Sequence, residues 1–239
     1  MKTVVVTGVS RGLGLATAKR LSADGYNVVG LSRSLSDGYK ALMAEQEGRV
    51  HFIPFDVGDL DAIPGVVSSI TKQHGRIWGL VNNAGIGADG ILATMHKTDI
   101  LRVIEVNLTA PIIFAKYISR GMLAAHEGRI VNISSIIAST GFHGLAAYAA
   151  SKAGLEGFTR SLSREVGKMG ITVNCIAPGY METEMTGGLD VHKMASIRRR
   201  APLGLPEVED VTGAIALLLG PDGNRITGTV ITVDGGSTA

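Results

Sequence analysis

The chain has 239 residues, 45% of them hydrophobic, which is enough for one α/β domain with a sizeable core. A formal net charge of +2 carries no nucleic-acid or membrane-surface signal. The single cysteine, Cys175, excludes an intrachain disulfide, and the six histidines form no ligand-spaced pair, so no metal site is expected.

The N-terminus enters a strand pattern within a few residues, too soon for a signal peptide. No apolar run approaches the ~18 residues of a membrane span, and a cytoplasmic location is the expectation. Val4, Val5 and Val6 form a β-branched run of the kind buried on both faces of a parallel sheet. A glycine turn follows, with Gly8, Gly12 and Gly14 in the pattern G-x-x-x-G-x-G. An apolar helical spacing then leads to Gly25 as its stop, and residues 28–31 read as a second strand. Strand, glycine turn, helix and strand make a βαβ unit. Between a strand and a helix, such glycines let a pyrophosphate approach the backbone and the free helical amides. The same pattern also serves as a plain turn.

The end of the second strand selects the cofactor. An acidic residue there would bond a ribose 2′-hydroxyl, but the sequence is Ser32-Arg33-Ser34. Arg33 suits a 2′-phosphate, Arg11 could approach the same group, and NADP(H) is expected over NAD(H).

Residues 37–49 read as a helix and 50–55 as a third strand that ends at Asp56 and Val57, where ligands of open parallel sheets collect. A helix over 59–74 precedes a fourth strand at 78–81 and the small polar turn Asn82-Asn83-Ala84-Gly85. Residues 98–125 read as a long helix broken at Pro111, with Asn107 inside it as a tolerated polar position or a functional kink. A fifth strand over 129–134 delivers Ser135.

The next helix runs from about 148 to 169. Tyr148 and Lys152 lie four apart on one face of it. An ammonium beside a phenol favours the phenolate, which would lower the phenol from its ordinary pKa near ~10 toward a usable general acid. Ser135 could donate to the same substrate oxygen. A sixth strand over 171–177 holds Cys175 as a buried residue and ends at Pro178-Gly179. Residues 182–206 lose apolar periodicity, hold a possible hinge at Gly187-Gly188 and contain Arg198-Arg199-Arg200. They read either as a substrate lid or as a surface helix pair with a basic face. A helix over 207–219 and a seventh strand over 225–233 complete the chain, with no internal repeat. The expected fold is α/β: a Rossmann-type, doubly wound, seven-stranded parallel sheet with helices on both faces, in a single domain.

Across its whole length the chain resembles the short-chain dehydrogenase/reductases. The matching stretches are T-G-x-x-x-G-x-G from Thr7 to Gly14, Asp56, N-N-A-G at 82–85, Asn107, Ser135, Y-x-x-x-K at 148 and 152, P-G at 178–179 and the V-D-G-G tail. Within the family it is most similar to the bacterial 3-oxoacyl-[acyl-carrier-protein] reductases, through N-I-S-S, Y-A-A-S-K-A-G and I-T-V-N-C-I-A-P-G-Y-M-E-T-E-M.

The resemblance implies that Tyr148 protonates a carbonyl oxygen, that Ser135 orients it, and that both touch substrate. It implies that Lys152 lowers the Tyr148 pKa and bonds the nicotinamide ribose, and that Asn107 holds a water in a relay to Lys152. It assigns cofactor contacts to Gly8, Ser10, Arg11, Gly12, Leu13, Gly14 and Arg33, to Asp56 and Val57 at the adenine, and to Asn83, Ala84 and Gly85 at the adjoining ribose. Pro178, Gly179, Met181 and Thr183 are assigned to the nicotinamide end.

The implied reaction is NADPH-dependent reduction of a 3-oxoacyl thioester on acyl carrier protein to the 3-hydroxyacyl form, in fatty acid synthesis. The alternative is a carbonyl reductase acting on a free ketone, sugar or polyketide; a remote one is a non-catalytic nucleotide-binding scaffold. The resemblance also implies a homotetramer paired through residues 98–125 and 148–169. It makes Arg129 one of two basic positions for an acidic carrier protein, the other being held here by Met169.

Overall fold

The computed structural model describes residues 1–181 and 191–239. Strands β1 (Thr3–Thr7), β2 (Asn27–Ser32), β3 (Val50–Pro54), β4 (Ile77–Asn82), β5 (Gly128–Ile133), β6 (Ile171–Pro178) and β7 (Val230–Val233) form one sheet in the order β3-β2-β1-β4-β5-β6-β7. Every pairing is parallel. The order reverses between β1 and β4, and that switch point opens a crevice at the carboxyl ends of the strands.

The strands are buried on both faces because helices cover both. Alternation along each strand splits the core in two. Val4, Val6, Val81 and Val131 pack with Leu21 of α1 (Gly12–Ala23), Leu42 of α2 (Asp37–Glu45) and Ile215 of α9 (Val208–Leu219). Val5, Leu80 and Ile130 face the other way, onto Ile70 of α3 (Ile63–His74), Phe114 of α5 (Ala110–Ala125) and Val166 of α7 (Ala146–Val166). Cys175 is fully buried between these layers, beside Thr159 at 3.1 Å, and burial pushes its thiol up to about 12. That is an inert core residue, as the sequence suggested.

The helix expected over 98–125 differs in an informative way. Helix α4 (Lys97–Ile104) passes into a π-turn, Glu105–Thr109, and then into α5 without a break at Pro111. The Ala110 N–H reaches back five residues to the Glu105 carbonyl. Pro111, in the first turn of α5, has no N–H to give the Asn107 carbonyl four residues before it. The irregularity therefore falls on the turn before the proline, and Asn107 sits inside it.

Smaller corrections concern ends. The last strand covers only Val230–Val233, because Gly228, at φ 73°, turns the chain before it. Helix α2 stops at Glu45, and α7 begins two residues before Tyr148 and closes in a 3-10 turn, Gly167–Met169. A short helix α6 (Ile137–Thr140) had no sequence signal, and α8 (Val191–Arg200) occupies part of the segment read as a lid. The rest of that segment up to residue 190, with Gly187, Gly188 and Thr183, lies outside the described residues.

Candidate active site

The crevice holds about 1430 Å³ and runs along the strand ends. That exceeds the ~300–1,000 Å³ of an ordinary ligand pocket and leaves room for a dinucleotide with a second molecule beside it. Nearly every residue singled out from sequence lines it: the turn from Gly8 to Gly14, then Arg33, Asp56, Val57, Asn83, Ala84, Gly85, Ser135, Tyr148, Lys152, Pro178, Gly179 and Met181. Asn107 is not on the wall, and Thr183 cannot be placed.

The glycine turn is constrained by close backbone approach. Gly8, at φ 76°, donates its N–H to Leu31 O at 2.7 Å, which ties the turn to the end of β2. A Cβ on Gly14 would lie 2.0 Å from Gly8 O, so only glycine lets α1 start there. The first turn of α1 has no acidic side chain and its N-cap, Arg11, makes no side-chain cap, so its leading amides face the crevice. At the end of β2 the lining is Ser32, Arg33 and Ser34, with no carboxylate among them. Open amides and an arginine in place of an acid fit a pyrophosphate and a 2′-phosphate.

Two asparagines brace the opposite wall. Asn83 Nδ2 donates to Thr7 O at 2.9 Å and Gly8 O at 3.2 Å, while Thr7 Oγ1 accepts from the N–H groups of Asn83 and Ala84. Asn107 is 1% exposed; its Oδ1 accepts from Ile86 N at 2.8 Å and its Nδ2 donates to Ile86 O at 2.9 Å and Ser151 Oγ at 3.2 Å. Ser151 Oγ in turn donates to the Tyr148 carbonyl at 2.7 Å. The Asn107 side chain thus clamps the loop after Gly85 onto the helix that carries Tyr148. Both ends of this amide are thus engaged within the fold.

Asp56 carries an interaction that sequence reading missed. Arg102 NH2 donates to both its carboxylate oxygens, at 3.1 and 2.9 Å, and Arg102 NH1 bonds Glu105, which opens the π-turn. A 46-residue separation leaves no local signal for such a pair.

Ser135 leaves β5 on a loop pinned to β6 by Ser134 N to Ile176 O at 2.7 Å and Ile136 N to Pro178 O at 3.1 Å. Tyr148 and Lys152 occupy adjacent turns of α7, with Lys152 Nζ 5.7 Å from the Tyr148 ring centre. The expected electrostatics do not hold. Burial pushes the Tyr148 phenol above its ordinary value, with a Ser135 hydrogen bond pulling the other way. Burial also lowers Lys152 to about 8, and its Nζ donates to Ile133 O at 2.8 Å. In this arrangement the bond that lowers the phenol comes from Ser135, while the lysine Nζ turns to the Ile133 carbonyl. A Cβ on Gly85 would meet Asn107 Oδ1 at 3.3 Å and Lys152 Nζ at 3.5 Å, which puts all three at one corner of the crevice.

Arg129 is a second correction. It is 6% exposed, donates to Gly128 O at 2.7 Å, Gly170 O and Asn224 Oδ1, and lies 5.4 Å from the Trp78 ring centre. An arginine packed under an indole at the start of β5 has no guanidinium to offer a docking protein.

A family model described as short chain dehydrogenase matches residues 2–193. The chain belongs to the short-chain dehydrogenase family. It is 39% identical to the 3-oxoacyl-[acyl-carrier-protein] reductase FabG of Haemophilus influenzae, covering 98% of this chain and 97% of that one. The enzymes of the same name from Vibrio cholerae and Escherichia coli are 37% and 38% identical, each over 98% of this chain and 96% of theirs. Among solved structures, a blue fluorescent protein from a metagenomic library in complex with NADPH superposes with a TM-score of 0.91 at 36% identity, covering 100% of this chain and 98% of that one. This short-chain dehydrogenase has no helix, among its described residues, long and apolar enough to cross a membrane.

Proposed function

We propose that this chain is an NADPH-dependent oxidoreductase that reduces a 3-oxoacyl thioester, borne on acyl carrier protein, to the 3-hydroxyacyl form in fatty acid synthesis. The observation that carries the reading is the convergence of Ser135, Tyr148 and Lys152 on the wall of one crevice whose other end presents Arg33. Full-length similarity to three reductases of that name supports the substrate class.

The amides of Gly12 to Gly14, with Arg11 and Ser10 beside them, hold the pyrophosphate, and Arg33 holds the 2′-phosphate. Asp56 and Val57 border the adenine, Asn83 to Gly85 the ribose next to it, and Pro178, Gly179 and Met181 the nicotinamide end. Bound there, reduced nicotinamide supplies a hydride to the carbonyl carbon. Ser135 donates a hydrogen bond to the carbonyl oxygen, and Tyr148 gives that oxygen its phenolic proton. A phenol raised by burial stays protonated through neutral pH, the form that reduction requires. Lys152 places a buried positive charge beside the phenolate that results. Asn107 fixes the helix that carries the tyrosine. The described part of the segment proposed as a substrate lid puts Ile197, Arg200 and Leu205 on the crevice wall.

The second reading, a reductase of free ketones, is favoured by one finding: Arg129 is buried and Met169 is uncharged, so neither position offers a cation to a carrier protein. The test is NADPH oxidation with 3-oxoacyl carrier-protein thioesters against free small ketones. A kcat/KM at least tenfold higher on the thioesters supports the first reading; the reverse order overturns it.

A further inference from the structure

Among the described residues, five cationic side chains and three acidic ones line the crevice, and most are accounted for. Arg102 is paired with Asp56, and Lys152 donates to Ile133 O. Asp234 is saturated by Gly236 N, Ser237 and Thr238. Arg33 and Arg11 stand beside the glycine turn. Arg200 remains: exposed, at the last residue of α8, without an ion pair to any described residue. Ile197, one turn earlier on the same face of α8, lines the crevice with it.

Arg200 and Arg33 enter the crevice from different parts of the fold. Arg33 follows β2, whereas α8 follows β6, four places along the sheet. At ~4.8 Å per strand, β2 and β6 themselves lie roughly 19 Å apart. The segment after α8 is also anchored on the far side, where Leu203 N donates to Gly235 O at 3.1 Å just beyond β7. Tyr148 and Ser135 belong to the elements around β5 and lie between the two arginines. The crevice therefore has a second cationic end, on the side of the reacting centre away from the 2′-phosphate, approached over an apolar wall of Ile197 and Leu205.

We infer that Arg200 binds the phosphate at the end of the substrate's pantetheine arm, with Ile197 against the arm itself. This rests on the proposed function for the choice of thioester. The oxygens of a phosphate ester accept well from the planar N–H donors of a guanidinium, and the phosphate's charge would separate arm-bearing substrates from short uncharged thioesters. The phosphate could belong to a carrier protein or to a free phosphopantetheine thioester; both present the same group.

The experiment compares wild type with Arg200→Gln, a surface change at a helix end, in two ways. Calorimetry with phosphopantetheine and pantetheine, in the presence of NADPH, reads the site without turnover. Wild type is expected to bind the phosphorylated form at least tenfold more tightly, and the variant to lose that preference. Steady-state rates are then taken with one 3-oxoacyl group on pantetheine, phosphopantetheine and carrier protein. The variant should raise KM about tenfold for both phosphorylated substrates, leaving kcat, the pantetheine KM and the NADPH KM within twofold. Equal wild-type affinities for the two arms overturn the inference, as does an effect confined to the carrier-protein substrate or shared by NADPH. Phosphate-selective binding without reduction of any thioester would overturn the proposed function and leave the site standing.

Discussion

Lys152 Nζ donates to the Ile133 carbonyl at 2.8 Å while the ring centre of Tyr148 lies 5.7 Å away. The lysine is held by the end of β5, and the tyrosine, one turn earlier, is held through its own carbonyl by Ser151. The two are therefore fixed by different parts of the fold.

That buried ammonium has a cost that can be measured. With a pKa near 8 in the fold against an ordinary 10.5, the unfolded chain binds the proton more tightly, so this group penalises folding below pH 8. Its contribution to stability rises with pH between about 8 and 10.5. Lys152→Met should lose turnover by at least a hundredfold yet gain on the order of 2 kcal/mol at pH 7, after about 1 kcal/mol is subtracted for the Ile133 carbonyl left unbonded. Urea unfolding at pH 7 and pH 10 checks this, because the gain should shrink at the higher pH. A variant less stable than wild type at pH 7 would contradict it.

Arg33 is the proposed determinant of cofactor preference. Arg33→Ala should raise the NADPH KM by about one to two powers of ten, consistent with loss of a charge-assisted bond worth ~1.5–3 kcal/mol, and leave the NADH KM within threefold. Initial rates with both cofactors decide this. Parallel changes would remove the 2′-phosphate role.

Asn107 braces the site from inside a π-turn. Asn107→Ala strands the Ile86 N–H and C=O together, each at a cost of about 1–3 kcal/mol. The expected result is a melting temperature lower by several degrees and a kcat reduced tenfold or more, because the loop after Gly85 is released from α7. Hydrogen exchange should show faster amide exchange at residues 84–87. Unchanged protection there, with lost activity, would move the role of Asn107 to its backbone.

Most of the fold was legible because its signals are local. The β-branched runs of β1 and β6 need burial on both faces, the glycines before α1 mark a close turn, and the apolar periods of α1, α3 and α9 return at helical spacing. The crevice wall was legible for the same reason, since parallel strand ends are where such turns collect. The π-turn was not, because Pro111 reads as a break whereas its missing N–H only displaces the irregularity one turn upstream. The Arg102–Asp56 pair joins residues far apart in sequence, and no spacing announces it. Arg129 differs from what the resemblance implies because a matching position does not carry its surroundings, and here it packs against Trp78. Spacing puts Tyr148 and Lys152 next to each other on a helix but says nothing of the burial that raises one group and lowers the other.

The most direct test of the account is Tyr148→Phe. The substitution removes one hydroxyl and keeps the ring in its place. Single-turnover reduction of a 3-oxoacyl thioester should slow by a factor of a thousand or more, while NADPH affinity, read by its fluorescence on titration, stays within threefold of wild type. Reduction at the wild-type rate would mean that another group supplies the proton, and the assignment of this crevice's chemistry to Tyr148 would fall.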